Sequence, residues 1–406
     1  MRRLLALLAV LTLIAAACGD DGGDGNDASP ADDGAAADDG TEAEPEPEPE
    51  PDPDPDADPE PEPEPEPEPS ARDFSAISPI VESFLAENDL NGAGLIVVER
   101  DEGIIHEDYW GEFSEDRVSL IMSTSKMVSA GVLMHLDDEG ALDVDAPIAD
   151  LAPWAADHPD ITAAQLVSNS SGLVGLAGAL DGGADFLCQY NFATTLQACA
   201  ETLLTTTIDD EDTVPPDTEF RYGGGQWQVA GAVAELASGK SWNELVDEIY
   251  VEPCGLENFG YTSPWVPLGA SFEYPDWDGD LSLLPPTDNP NMEGGVYTTA
   301  RDYAELLLMH LRDGMCGDTQ VLSPDALAQM HENRTGRVYD SPVGYGMGWW
   351  TDAAAGRITD PGAYGAVSWL QLDDGFGAYM VIEDSSVVGN QLAGLLYGPV
   401  EEAVLG

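Results

Sequence analysis

Residues 118–140 read VSLIMSTSKMVSAGVLMHLDDEG. Met127, Val128, Gly131, Val132, Leu133 and Leu136 recur at helical spacing, and Gly140 supplies a stop. The stretch opens on Ser123-Thr124-Ser125-Lys126, so a hydroxyl and an amine three residues apart share one helix face near the positive end of its dipole. A serine is a poor nucleophile until a neighbouring base takes its proton, and a lysine among apolar groups loses its charge more readily. Ser-x-x-Lys is a common string, so context decides. The chain has 78 acidic residues and only two lysines, Lys126 and Lys240. A surface lysine would have been lost to that bias; one kept inside an apolar run reads as chemistry.

Before this stretch the chain divides in two. Arg2 and Arg3, an apolar run to Ile14, then Ala15-Ala16-Ala17-Cys18 form a basic, apolar and small-residue sequence typical of an export signal, too short to span a bilayer. A cysteine directly after small residues resembles a bacterial lipobox, which implies cleavage before Cys18 and its lipidation, and so a protein anchored outside the cytoplasm on the cell membrane. Residues 19–70 are low in complexity and end in an acid–proline alternation from Glu44 to Pro69. With almost nothing apolar to bury, this segment does not fold, and at ~3.1 Å per residue its proline part reaches roughly 80 Å as a tether.

Residues 71–406 are long enough for one large domain. They carry 11 basic and 56 acidic side chains, a formal charge of −45. That surface repels nucleic acid and anionic lipid, which excludes both as partners, and suits a salty environment where charge is screened. The membrane enters only through the anchor. Four cysteines remain, Cys188, Cys199, Cys254 and Cys316. Their even number points to disulfides, with three possible pairings; Cys188–Cys199 with Cys254–Cys316 is favoured by sequence proximity. No Cys-x-x-Cys occurs and the histidines are scattered, so neither a metal nor a cofactor is expected.

Residues 93–113 read as a hairpin turning at Asp101-Glu102-Gly103, and 161–173 as a Thr-capped helical turn. Residues 181–219 look mostly like loop, the Asp209–Asp212 cluster within them a solvated face. Tyr222 precedes three glycines and a helix from about Gln226 to Ala237, a place from which a phenol can enter a cleft. A capped helix runs to Leu311, residues 343–350 suggest an aromatic-lined strand, Asp360 to Ile382 a second hairpin, and Gln391 to Leu405 a closing helix. Strands come early and late. The expected class is α+β: an antiparallel sheet from both chain ends, flanked by helices, with an inserted, mainly helical lobe.

This order resembles the serine β-lactamase and DD-peptidase superfamily, and within it the class C β-lactamase-related branch of esterases and D-aminopeptidase-like peptidases. Ser123-Thr124-Ser125-Lys126 matches the first box; LVSNSSGL resembles a Leu-Leu-x-His-x-Ser-Gly-Leu segment with Asn169 in the histidine's place; Tyr222-Gly223-Gly224 falls at a Tyr-x-Asn box; GYGMGWW resembles a Gly-Tyr-Gly-x-Gly-Trp segment. The resemblance implies Ser123 as acylated nucleophile, Lys126 and Tyr222 as proton carriers, and an oxyanion hole from the Ser123 and Ala363 N–H groups. It also implies substrate contacts at Asn169, Gly224 and Gly362. Gly224 lacks the expected amide, and Asp360-Pro361-Gly362 stands where a basic residue usually opens the third box. A negative Asp360 would repel a substrate carboxylate, which favours an esterase over a β-lactamase or DD-carboxypeptidase. A catalytically silent wall-binding or sensor protein on the same fold is the rival from another class.

Overall fold

The computed structural model describes residues 72–176, 184–206, 213–269, 271 and 273–406. Its main sheet has six antiparallel strands: β1 (Gly92–Glu99), β2 (Gly103–Gly111), β3 (Trp350–Asp352), β4 (Arg357–Pro361), β5 (Val367–Gln371) and β6 (Phe376–Val381), in the order β2-β1-β6-β5-β4-β3. The first hairpin pairs Val97 with His106, and β1 then pairs with β6, Ile96 opposite Tyr379. The two ends of the domain thus close one sheet.

β1 reads GAGLIVVE without polar alternation because both its faces are covered. Leu95 and Val97 pack with Ile77, Val81, Leu392 and Leu396 of α1 (Ile77–Asn88) and the last helix, Ser386–Leu405. Ile96 and Val98 face the other way, into the larger core that also holds the inserted helices. Those are α2 (Lys126–Asp138), α3 (Ala163–Val167), α4 (Leu196–Thr206), α5 (Gly225–Ser238), α6 (Ala300–Leu311) and α7 (Pro324–His331). α2 is buried on nearly every side, which accounts for its apolar run. Thr162 caps α3 in a reciprocal box with Gln165, and Thr299 caps α6. Both disulfides of the favoured pairing, Cys188–Cys199 and Cys254–Cys316, are present.

Three expectations need correction. Residues 343–350 do not form a strand before Trp350: Gly348 sits at φ +82°, and the Met347 and Gly348 N–H groups donate to Met330 and Val167 instead of a ladder. The second hairpin is three strands, because a tight turn after Pro361, closed by Gly362 N–H donating to the Ala366 carbonyl, separates β4 from β5. Residues 181–219 contain a helix, α4; Leu196, Cys199, Ala200, Leu203 and Leu204 carry the helical period, and the surrounding threonines disguise it. The Asp209–Asp212 cluster lies outside the described residues.

Where α6 meets α7, His310 and His331 lie ring to ring, Nδ1 to Nε2 at 2.9 Å, against the edge of Trp349. Burial drives His310 well below the ordinary imidazole value and His331 down to about 4. Histidines held neutral in the fold add stability that is present above the unfolded value of 6.5 and lost as pH falls toward 4. The melting temperature is therefore expected to drop between pH 6.5 and 5, and His331→Gln to drop less over that interval. Equal drops in calorimetry would exclude this pair as the acid-labile point.

Candidate active site

Ser123 lies in a 3₁₀ turn, Met122–Ser125, that feeds α2, and not in the first turn of the helix itself. Met122 before it adopts φ +48°, a left-handed conformation that a methionine holds only when its surroundings impose it. Lys126 opens α2 and is completely buried. Its Nζ donates to Ser123 Oγ at 3.1 Å and to the Glu293 carbonyl at 2.9 Å. It also stands 4.8 Å from the ring centre of Tyr222 and 5.5 Å from that of Trp227.

Tyr222 comes from the far side of the inserted lobe. Gly223 and Gly224, at φ +80° and +82°, turn the chain into α5 and leave the Tyr222 ring beside Lys126 and Ser123. Burial raises the Tyr222 phenol, and Lys126 beside it draws it back down. Serine, lysine and tyrosine thus meet, drawn from positions a hundred residues apart.

Asn169 holds this junction from behind. It is fully buried at φ +56°, and its Oδ1 accepts from Gly223 N–H at 3.0 Å, Gln226 Nε2 at 3.1 Å and Trp227 Nε1 at 2.9 Å. The expected substrate contact at Asn169 is corrected accordingly: the side chain shapes the Tyr222 turn. Gly224 likewise spends its N–H on Glu293 Oε2 at 2.8 Å. Ala363 shares the Ser123 pocket, while Gly362 packs against Ile121 and Thr124 beneath it.

Asp360 departs furthest from expectation. It is completely buried on β4, its Oδ2 accepts from Met127 N–H at 3.2 Å, and it does not line the pocket. Burial pushes its carboxyl well above the usual carboxylate range despite Lys126 nearby. A neutral acid under α2 does not repel a substrate carboxylate, so that argument for an esterase falls.

Sequence reasoning missed Glu293 and Tyr190. Glu293 Oε2 stands 3.6 Å from Lys126 Nζ, and Tyr190 donates to its Oε1 at 2.9 Å. The available signal was an acidic residue between Met292 and two glycines. The pocket over Ser123 holds about 40 Å³, with Met122, Leu176, Tyr190, Trp265, Glu293 and Tyr364 around it. Among the described residues Glu293 is its only acidic or basic lining residue. Two larger clefts, of about 280 and 410 Å³, flank Asn243 and Thr287 away from Ser123 and its partners. Among the described residues no cluster of three or more His, Cys, Asp or Glu is placed to hold a metal.

Comparison with known proteins bears on the family and the fold. The beta-lactamase family profile matches residues 77–389. Penicillin-binding protein 4 of Amycolatopsis lactamdurans is 28% identical over 323 residues, covering 73% of this chain and 81% of that protein. Two solved structures share the fold. EstCE1, a hydrolase with promiscuous acyltransferase activity, superposes with a TM-score of 0.63 at 18% identity, covering 82% of this chain and 98% of its own. A penicillin-binding protein homologue from Caulobacter crescentus gives 0.61 at 18% identity, covering 79% and 97%.

Proposed function

This chain belongs to the beta-lactamase family, and from that membership we propose that it is an exported, lipid-anchored hydrolase of the class C-related branch, which cleaves an ester or amide carbonyl through an acyl-enzyme on Ser123. Ser123 Oγ attacks the carbonyl carbon and its proton passes to Lys126. The N–H groups of Ser123 and Ala363 meet the developing oxyanion. Tyr222 relays the proton to the leaving group, and water then releases the acyl chain.

The observation that carries this reading is the fully buried lysine in hydrogen-bond contact with the serine, under a phenol from another part of the chain. The lining favours an esterase over a β-lactamase: it offers a substrate carboxylate no arginine or lysine, only Glu293. Export and anchoring at Cys18, with residues 19–70 as tether, rest on the sequence of residues 1–70. The two disulfides fit an oxidising compartment, and among the described residues no helix is long and apolar enough to cross a membrane.

Parallel treatment with a fluorophosphonate and a labelled penicillin, followed by peptide mapping, tests the reading. Adduct on Ser123 from the first alone is expected. Adduct from both makes the protein a penicillin-recognising enzyme, and adduct from neither makes it a silent binding protein.

A further inference from the structure

We propose that Glu293 governs the proton on Lys126: its carboxylate is the charge against which the lysine–serine pair works. The inference rests on the acyl-enzyme reading above and deepens it.

The loop at 291–295 grips Lys126 twice through one residue. The Glu293 carbonyl accepts from Lys126 Nζ at 2.9 Å, and the carboxylate stands 3.6 Å from it. That carboxylate is held in place, Oε1 by the Tyr190 hydroxyl and Oε2 by Gly224 N–H, and only 6% of the residue is exposed. Gly223 leaves room for it, since a Cβ there would stand 3.1 Å from Glu293 Oε2, and Glu293 takes the Gly224 N–H directly. The titratable groups around Lys126 are Glu293 from the loop, Asp360 from β4 and Tyr222 from the turn before α5, with Tyr190 behind Glu293. Burial pushes Asp360 and both phenols toward their neutral forms, and of the two carboxyls Glu293 is the one within ion-pair distance of the amine.

The step balances as follows. The Ser123 O–H bond breaks as Oγ–C forms, the carbonyl π pair moves onto oxygen, and the proton binds the lone pair of Lys126 Nζ. The new ammonium, on a fully buried Nζ, is compensated at once by the carboxylate 3.6 Å away. When the intermediate collapses the proton leaves Nζ through Tyr222 for the departing heteroatom. The carboxylate 3.6 Å from Nζ is therefore placed to oppose the positive charge that forms there.

Because the chain has only two lysines, protein carrying lysine ¹³C-labelled at Cε gives two side-chain signals, and Lys240→Arg assigns them. Following both against pH reads the coupling without any substrate. In Glu293→Gln the Lys126 signal is expected to titrate about one pH unit or more below its wild-type midpoint, in Glu293→Asp in between, with Lys240 unmoved. The acid limb of Ser123 phosphonylation should move by the same interval. Coincident Lys126 midpoints in wild type and both variants would overturn the proposal. If Ser123 in wild type resists the phosphonate while the Lys126 midpoint still moves, the acyl-enzyme reading fails and the coupling stands.

Discussion

Replacing Lys126 by methionine is expected to slow acylation of Ser123 by about 10³-fold, within the range that losing a general base costs. Methionine nearly matches the buried volume but offers Ser123 Oγ no acceptor for its proton. The same change strands the Glu293 carboxylate, which then keeps Tyr190 and Gly224 as donors but loses its cation. Removing one partner of a buried pair costs on the order of 3–5 kcal/mol, because the remaining charge stays out of water uncompensated. For a domain this large each kcal/mol moves Tm by about 2 °C, so a fall of roughly 6–10 °C is expected. The double variant Lys126→Met with Glu293→Gln removes the stranded charge and should recover most of that Tm while acylation stays low. Calorimetry and the rate of fluorophosphonate labelling measure the two effects separately. Wild-type labelling by Lys126→Met would remove the lysine from the proton path; an unrecovered Tm in the double variant would remove the ion pair from the stability argument.

What was legible in the sequence was what depends on neighbours along the chain. The Ser-x-x-Lys spacing needs only one turn of backbone, and β1 announces its burial on both faces by reading GAGLIVVE. Tyr222 was legible because glycines at positive φ mark a sharp entry to a helix. Glu293 was not, since its contact with Lys126 spans 167 positions and nothing in MEGG says which way the carboxylate turns. Asp360 misled for a related reason. A lone aspartate reads as solvated charge, and only the packing of β4 under α2 turns it into a buried acid bonded to Met127 N–H. GYGMGWW misled through composition: its aromatics favour a strand, but the φ of Gly348 forbids one. Local chemistry thus marked the candidate nucleophile, and tertiary packing decided which acids stand beside it.

Gly362→Ala is expected to be the most damaging single-methyl change near the site. Gly362 follows β4, and a Cβ built there would lie 2.0 Å from the Ile121 carbonyl oxygen and 2.7 Å from Thr124 Oγ1. The nearer obstacle is backbone, which no rotamer change relieves. Ile121 is also the residue from which the chain enters the strained Met122 and the Ser123 turn, and its carbonyl accepts from Thr124 N–H at 3.3 Å. Thr124 Oγ1 in turn donates to the Ala366 carbonyl at 3.2 Å, tying the turn to the start of β5. The methyl must therefore push the nucleophile's turn away from the strand pair that carries Ala363. Overpacking of this kind costs about 1–3 kcal/mol, and a displacement near 1 Å at a reacting group costs on the order of 10²-fold in rate. Gly394→Ala is the control: it adds the same methyl inside the last helix with nothing within 4 Å, and helix propensity should leave it neutral or slightly stabilising. A Gly362→Ala protein that matched this control in Tm and in Ser123 labelling would show that the turn and the strand are not rigidly coupled, and the oxyanion hole assigned to Ser123 and Ala363 would lose its structural basis.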